Sequence, residues 1–267
     1  MQISPPSQLA AYIKHYIFLE NTEDITKNLR LFADGNTGLI ISSDIRMYDG
    51  QNKSLPLSFF YGQPSKYKDL TTMGKFSLLA VVFQPYFFNM FFNVAAREIK
   101  NQIVSASDIL KDQLLPFQES LDNKENPKSI ITALNRYFIN LISAKNNPDS
   151  WLVKVQQLMI QKKRILSLKD LEHFTGYSER HIERTFEESM GLSPKKYNSI
   201  IRLHHFLSLM KNRTGKNSMT GLSYKAGYSD QSHLIREFKN IVGLTPGQYL
   251  KTENKLAVNF IEIPFTC

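Results

Sequence analysis

The sequence predicts an α+β fold, in which a β-rich N-terminal domain ending in helices precedes an all-α domain of two helix-turn-helix units joined by a linking helix. Three observations support this prediction. Short apolar and β-branched runs fill the first ~80 residues, amphipathic stretches follow them, and one short pattern occurs twice near the end of the chain. With 267 residues and 42% hydrophobic content, the chain can hold two domains with separate cores.

The N-terminal half contains the strand-forming segments. Runs rich in apolar and β-branched residues, separated by Gly, Pro, Asn and Asp, predict strands over 12–19, 29–32, 38–42, 58–61 and 77–83. After Pro85 the pattern becomes helical, and we expect helices over 86–92, 108–115 and 128–143. This helical segment is a candidate dimer face.

The repeated pattern has an offset of 51 residues at its first glycine and 52 from its arginine onward. Each copy begins with Gly-Tyr-Ser, continues through an apolar stripe, and ends with Gly-Leu-Ser/Thr-Pro and a tyrosine. The landmarks are Gly176, Phe186, Gly191, Pro194 and Tyr197 in the first copy, and Gly227, Phe238, Gly243, Pro246 and Tyr249 in the second. Glycine suits the residue that closes a helix, and Ser/Thr-Pro suits the start of the next one. The repeat therefore predicts two helix-turn-helix corners, each filled by the tyrosine after its turn glycine.

The two copies resemble the DNA-binding domain of the AraC/XylS family of bacterial transcription regulators. The resemblance covers roughly residues 151–251 and is most specific over the second copy, from Ala226 to Tyr249. It implies that each corner presents its second helix to the major groove. A linking helix over about 197–211 would hold the corners apart, so that one subunit contacts successive turns on one face of the duplex.

The resemblance also assigns candidate DNA contacts. Candidates for base contacts are Arg180, Glu183 and Arg184 in the first corner, and Gln231, Ser232, His233 and Arg236 in the second. Arginine suits guanine, glutamine suits adenine, and glutamate can accept from cytosine. Candidates for phosphate contacts are Ser178, Lys195, Lys196 and Lys239. The sequence leaves open which of them touch bases, and for Arg184 and Arg236 an intramolecular ion pair is the alternative.

The charge distribution agrees with this interpretation. Residues 151–252 contain 17 Lys and Arg against 8 Asp and Glu, whereas residues 1–150 contain 15 against 14. A basic surface attracts DNA because it neutralises phosphates and releases their counterions. A solvated basic face without a partner is the alternative.

Parts of the N-terminal half resemble the sensory domain of one AraC-type subgroup. The matching fragments are Ala33-Asp34-Gly35 before Leu39-Ile40-Ile41, and Val82-Phe83-Gln84-Pro85 before a Phe-rich helix. Regulators of this type commonly sense a small molecule in a β-rich domain. Candidates for an apolar ligand site are Phe83, Tyr86, Phe87 and Phe91. Ordinary core packing is the favoured alternative for these rings.

These observations predict four segments: an effector-binding and dimerisation domain over 1–145, a linker over 146–150, the tandem helix-turn-helix domain over 151–252, and an apolar tail over 253–267. The tail is more apolar than a free terminus, so we expect it to dock, with a strand as one form.

Several other classes of protein are disfavoured. The single cysteine, Cys267, excludes a disulfide framework, and His15 is the only histidine before residue 173, so we expect no metal site and no cofactor. Phosphate-loop and nucleophile-elbow motifs are absent from the sequence, and an enzyme is not expected. The longest apolar run, residues 78–83, is too short to span a membrane, and no signal peptide is recognised, so a cytoplasmic location is expected.

We therefore predict a sequence-specific DNA-binding transcription regulator. Most of the resembled family activates, which favours an activator. The expected partners are double-stranded DNA and RNA polymerase, with a small-molecule effector and a homodimer as further expectations. Two alternatives stay open: an architectural or partner-binding protein that uses its basic face without base readout, and an N-terminal enzyme domain fused to a DNA-binding module.

Overall fold

The computed structural model describes residues 1–43, 46–143, 150–162, 166–212, 218–252 and 255–264. The predicted linker lies almost wholly outside the described residues. The strands are β1 (Gln2–Ile3), β2 (Ile13–Asn21), β3 (Lys27–Leu31), β4 (Thr37–Ser43), β5 (Arg46–Asp49), β6 (Ser58–Tyr61), β7 (Lys68–Met73), β8 (Phe76–Phe83), β9 (Ile103–Ser105), β10 (Lys255–Ala257) and β11 (Phe260–Ile263). The helices are α1 (Phe87–Phe92), α2 (Ala106–Leu110), α3 (Leu115–Asp122), α4 (Pro127–Ser143), α5 (Ser150–Lys162), α6 (Leu168–Thr175), α7 (Glu179–Met190), α8 (Pro194–Lys211), α9 (Met219–Lys225), α10 (Gln231–Val242) and α11 (Pro246–Lys251).

The α+β prediction is confirmed. All five predicted strands are present, as β2, β3, β4, β6 and β8, with ends that differ by a few residues. The predicted helix over 108–115 is wrong in extent, because α2 ends at Leu110 and a 3-10 turn connects it to α3. Strands β1, β5, β7 and β9 are additional to the prediction.

The N-terminal strands form two antiparallel sheets packed face to face. One sheet has the order β1-β2-β8-β4-β6-β9, and the other has the order β10-β11-β3-β7-β5. Strands β4 and β8 are buried along their whole length because both faces of their sheet are covered. Leu79 and Val81 pack against the helices α1–α4, whereas Leu78 and Ala80 face the second sheet.

Helix α4 covers the first sheet. Its apolar residues Ile130, Leu134 and Phe138 are buried in the same core as β8. This apolar side is therefore used inside the domain, and a dimer face on the helical segment stays a prediction.

The C-terminal helices surround α8, and their core extends into the N-terminal domain. Phe32, Ala33 and Tyr86 belong to the same buried cluster as the helical residues Phe186, Phe206 and Phe238. The core of the helical domain therefore extends across the contact between the domains, while the N-terminal domain has two further cores of its own.

The tail docks as a strand. Strand β11 pairs antiparallel with β3, from Phe260 opposite Leu31 to Ile263 opposite Asn28. The chain thus passes through the whole helical domain and returns to complete a sheet of the N-terminal domain.

Candidate nucleic-acid interface

The first corner consists of α6 and α7. Helix α6 starts with a capping box in which Ser167 and Asp170 satisfy each other's backbone N–H groups, and it ends at Gly176 with φ 75°. Helix α7 ends at Gly191 with φ 69°, and Ser193 caps α8 through the N–H of Lys196. The predicted signals at Gly191 and Ser193 act where they were expected, whereas Ser178, at the start of α7, makes no side-chain capping hydrogen bond.

The second corner consists of α9 and α10. Ser218 caps α9, and the Asp230 carboxylate accepts from the N–H of His233 at 2.7 Å to cap α10. Helix α10 ends at Gly243 with φ 76°, and Thr245 begins α11 with a capping box. Both corners thus have the same helix–turn–helix construction.

The corner tyrosines differ. Tyr228 fills the second corner and is 2% exposed, as expected. The same expectation is wrong for Tyr177, which is 41% exposed and stacks on His181, with 4.6 Å between the ring centroids. The Trp151 ring packs against the same group, with 5.1 Å between its centroid and that of Tyr177. The first corner therefore carries an aromatic group on its surface.

The candidate base contacts of the second corner lie on one side of α10. Ser232 and Arg236 are exposed, and Gln231 is half-buried. The Thr220 hydroxyl donates to Oε1 of Gln231 at 2.7 Å, which orients this amide. Leu234 and Phe238, among others, bury the opposite side of the helix. The polar side of α10 is therefore presented to solvent by a firmly packed helix.

His233 belongs to a network that the sequence did not reveal. Arg202 on α8 donates to Glu237 on α10 at 2.5 Å, and the Tyr228 hydroxyl donates to the other oxygen of Glu237 at 2.9 Å. Burial raises the pKa of Tyr228, and the neighbouring Glu237 raises it further. One ring nitrogen of His233 lies 3.5 Å from Arg202, and the other lies 3.1 Å from the Ser229 hydroxyl. These contacts occupy the imidazole that was a candidate for base contacts.

The second helices of the two corners, α7 and α10, carry opposite net charge. Helix α10 has Arg236 and Lys239 against Glu237, whereas α7 has two arginines and four glutamates: Arg180, Arg184, Glu179, Glu183, Glu187 and Glu188. The candidates Arg180, Glu183 and Arg184 are all exposed. Within the described parts of the chain, neither Arg184 nor Arg236 forms an ion pair, and Arg184 lies 3.4 Å from a ring nitrogen of His181. The two helices thus offer different surfaces to a polyanion.

The candidate phosphate contacts also differ in accessibility. Ser178, Lys195 and Lys239 are exposed. Lys196 is half-buried at the domain boundary. Its pKa is lowered, mainly by burial and also by Lys100 and Lys66, while Glu237 opposes this change. Lys195 is therefore the more accessible of the two adjacent lysines.

The C-terminal ends of α7 and α10 contact the N-terminal domain. The N–H of Ala96 donates to the carbonyl of Glu188 at 2.7 Å, and a Cβ added at Gly191 would lie 2.8 Å from the Ala96 oxygen. At the second helix, a Cβ on Gly243 would lie 2.5 Å from Arg30. These contacts hold the far ends of the helices and leave their N-terminal turns, which carry most candidate base contacts, facing away.

The Ala33-Asp34-Gly35 motif forms the joint with the linking helix α8. The ring of His204 donates to the Ala33 carbonyl at 3.0 Å, and Gly35 lies against the Tyr197 ring. Burial alone would raise the pKa of Asp34, but Lys14 at 3.5 Å, His204 and two hydrogen bonds from Asn36 outweigh it and lower the pKa. The motif is thus a charged, buried part of the domain contact.

Three comparisons with known proteins bear on this site. Residues 1–105 match a domain of unknown function, DUF6597, and residues 171–252 match a family described as a helix-turn-helix domain. Residues 171–252 form a helix-turn-helix domain. The tandem corners described above are the structure of this domain.

The chain has distant relatives among curated proteins and solved structures. An uncharacterized HTH-type transcriptional regulator of Haemophilus influenzae is 23% identical over 150 residues, which are 51% of this chain and 50% of that protein. The chain thus spans about half the length of this curated relative. Among solved structures, ToxT from Vibrio cholerae O395 is 14% identical with a TM-score of 0.46 and covers 88% of this chain and 96% of its own. A probable AraC family regulator from Rhodopseudomonas palustris is 24% identical with a TM-score of 0.36, over 39% of this chain and 96% of its own.

The rings proposed for a ligand site are packed in cores. Phe83 and Phe87 stack with centroids 3.9 Å apart, Phe91 stacks on Phe87, and Tyr86 donates to the carbonyl of Ala11. None of the four lines the cavity between the two sheets. That cavity has a volume of about 40 Å³ and is mainly apolar, with Ile40, Phe59, Ala80 and Phe260 in its wall. It has room for only a few water-sized groups.

A larger cleft of about 740 Å³ lies between the domains. Its wall combines Lys14, His15 and Asp34 with Lys211 of α8, and residues 255–259 of the tail close it. Among the described residues, no group of three or more His, Cys, Asp or Glu side chains could hold a metal ion. No described helix is both long and apolar enough to cross a membrane.

Proposed function

We propose that this chain is a sequence-specific transcription regulator whose second corner supplies most of the base readout. The observation that carries the proposal is the exposed polar side of α10, where Gln231, Ser232 and Arg236 stand on a helix fixed from behind by Glu237. A firmly held helix with bidentate donors is what discrimination between bases requires. Lys239 and Lys195 supply phosphate contacts that fix the register.

The first corner has a different role in this proposal. Its four glutamates weaken the attraction of α7 for phosphates, so Arg180, Glu183 and Arg184 contribute specificity more than affinity. The operator is therefore asymmetric, with its strongly recognised half under α10.

The experiment that tests this function begins with the DNA that the full chain occupies in its host. The most enriched duplex and a random duplex of equal length are titrated at about 0.15 M salt. We expect the enriched duplex to bind at least about a thousandfold more tightly, as for specific DNA-binding proteins. Equal affinities would support the architectural alternative.

The N-terminal domain is proposed to bind an amphipathic small molecule that alters DNA binding. The cleft between the domains supports this, because it joins the apolar side chains of Leu207 and Leu256 to the amino groups of Lys14 and Lys211. Activation through RNA polymerase, homodimerisation and a cytoplasmic location belong to the same proposal and rest on the resemblance of the sequence.

This second part is tested on the full chain purified from its host. Native mass spectrometry should show a retained small molecule, and its removal should lower the melting temperature because a ligand stabilises the state it binds. Sedimentation with and without operator gives the oligomeric state. A chain that retains nothing and gains no thermal stability from host extract would count against an effector.

A further inference from the structure

The tail, residues 255–263, touches both domains through the opposite faces of strand β11. Successive side chains of a strand point to opposite sides. Phe260 accordingly packs into the core between the two sheets and lines its cavity. Ile261, the next residue, is fully buried in the cluster formed mainly by the helical domain. One strand is therefore part of both cores.

Several contacts attach the tail to each domain. Toward the sheet, the N–H of Phe32 donates to the Asn259 carbonyl at 3.0 Å, and Lys27 pairs with Glu262 at 3.5 Å. Toward the helices, the Tyr249 hydroxyl donates to the Val258 carbonyl at 3.0 Å. The tail cannot leave β3 without moving Ile261 out of the helical core.

The tail also separates the two cavities. Asn259 lines both the cavity between the sheets and the cleft between the domains, while Phe260 faces only the former. The cavity between the sheets is so small that an organic ligand needs more room than it offers. Asn259 and Phe260 are the wall residues that the tail supplies, so an occupant that enlarges the cavity presses on the tail.

We propose that the tail is an intramolecular latch. Strand β11 holds the helical domain against the sheets. An occupant of the cavity between the sheets pushes Phe260 outward and thereby detaches β11. The latch follows from the contacts above, and its control concerns an apolar occupant of the cavity between the sheets, separate from the amphipathic ligand proposed for the cleft between the domains.

The latch is tested by ending the chain after Thr252. Spin labels at the exposed positions Lys75→Cys and Lys225→Cys, in a Cys267→Ser background, report the distance between the domains. We expect one narrow distance distribution in the full chain and a broad one in the shortened chain, with a peptide of residues 255–264 restoring the narrow one. An unchanged narrow distribution would overturn the latch. If the shortened chain fails to fold, Ile261→Ala is compared with Val258→Ala, which alters an exposed residue of the same tail.

Control by the cavity is tested with Ala80→Phe, a covalent stand-in for an occupant. We expect amide exchange at residues 260–263 to rise about tenfold or more, since the strand opens more often. Adding Phe260→Ala to the Ala80→Phe chain provides room for the new ring. The distance between the domains should then equal that of a chain that carries Phe260→Ala alone. Unchanged amide exchange in a folded Ala80→Phe chain would overturn the coupling. If the phenylalanine ring prevents folding, the Ala80→Leu variant is used in its place. Operator binding is measured in parallel. If exchange and distance change as expected but the chain does not recognise operator DNA, only the proposed function is refuted.

Discussion

Arg202 on the linking helix α8 and Glu237 on helix α10 form a buried ion pair, with 2.5 Å between Nη2 and Oε2. Removing one member of such a pair leaves the other charged and unpaired in the core. We expect Arg202→Ala to lower the free energy of unfolding by about 3–5 kcal/mol. Urea denaturation of the full chain measures this change.

The matched control is Arg236→Ala, one residue before Glu237 but exposed. Its effect on stability should stay within about 0.5 kcal/mol, as for most surface substitutions. Equal losses in the two variants would show that the ion pair does not support the helix.

The candidate base contacts should affect specificity. Alanine at Gln231 or Arg236 is expected to cost about 1–3 kcal/mol on the operator and little on random DNA, because a bidentate base contact is lost. Competition titrations with operators changed at single base pairs measure the loss. If both variants lose affinity uniformly while specificity persists, the second corner is not the reader, and the first corner or DNA shape is.

The adjacent lysines should differ in their salt dependence. Lys195 is exposed, so Lys195→Ala should weaken both duplexes alike and reduce the slope of log K against log salt by about one. Lys196 is half-buried between domains, and its replacement should change the slope less. A larger slope change for Lys196→Ala would show that the domains separate when DNA binds.

Two glycines allow the domain contact to be measured. Gly176 and Gly191 both close helices with positive φ, but a Cβ on Gly176 meets nothing within 4 Å, whereas one on Gly191 meets the Ala96 carbonyl at 2.8 Å. Gly176→Ala should cost roughly 1–2 kcal/mol from backbone strain alone. Gly191→Ala should cost more in thermal denaturation, and equal costs would show that the contact is easily relieved.

Stability should fall as the pH falls. Burial and the neighbouring Lys14 lower the pKa of His15 from 6.5 to about 4, with Asp34 opposing them. Between these values the unfolded chain binds the proton and the folded chain does not, so acid favours unfolding. The pKa of His204 is also lowered by burial, which adds to the effect.

Calorimetry from about pH 7 to about pH 4.5 should therefore show a declining melting temperature. His15→Gln should reduce the decline, whereas His173→Gln, at an exposed position, should leave it unchanged. A decline that is the same in all three chains would assign it to other groups.

The sequence predicted features that depend on neighbouring residues. Gly191 and Ser193 mark a helix end and the next start within three positions, so the corners could be located without a structure. The missed strand β7, Lys68–Met73, is polar and pairs with β3, about forty residues away. Glu237 resembled an ordinary solvated helix residue, because its partner Arg202 lies 35 positions earlier. Partners distant in the chain leave no local signal, and neither the network around His233 nor the exposure of Tyr177 could be predicted.

The pairing of β11 with β3 joins segments that the ribosome makes more than two hundred residues apart; the Asn259–Phe32 contact beside it spans 227 positions. Until the later segment emerges, β3 has unpaired backbone groups along one side, and an open strand edge of this kind is prone to join other chains. Closing so long a loop is also slow. Nascent or shortened chains should therefore depend on chaperones, and aggregation should decrease once residues 260–263 have left the exit tunnel.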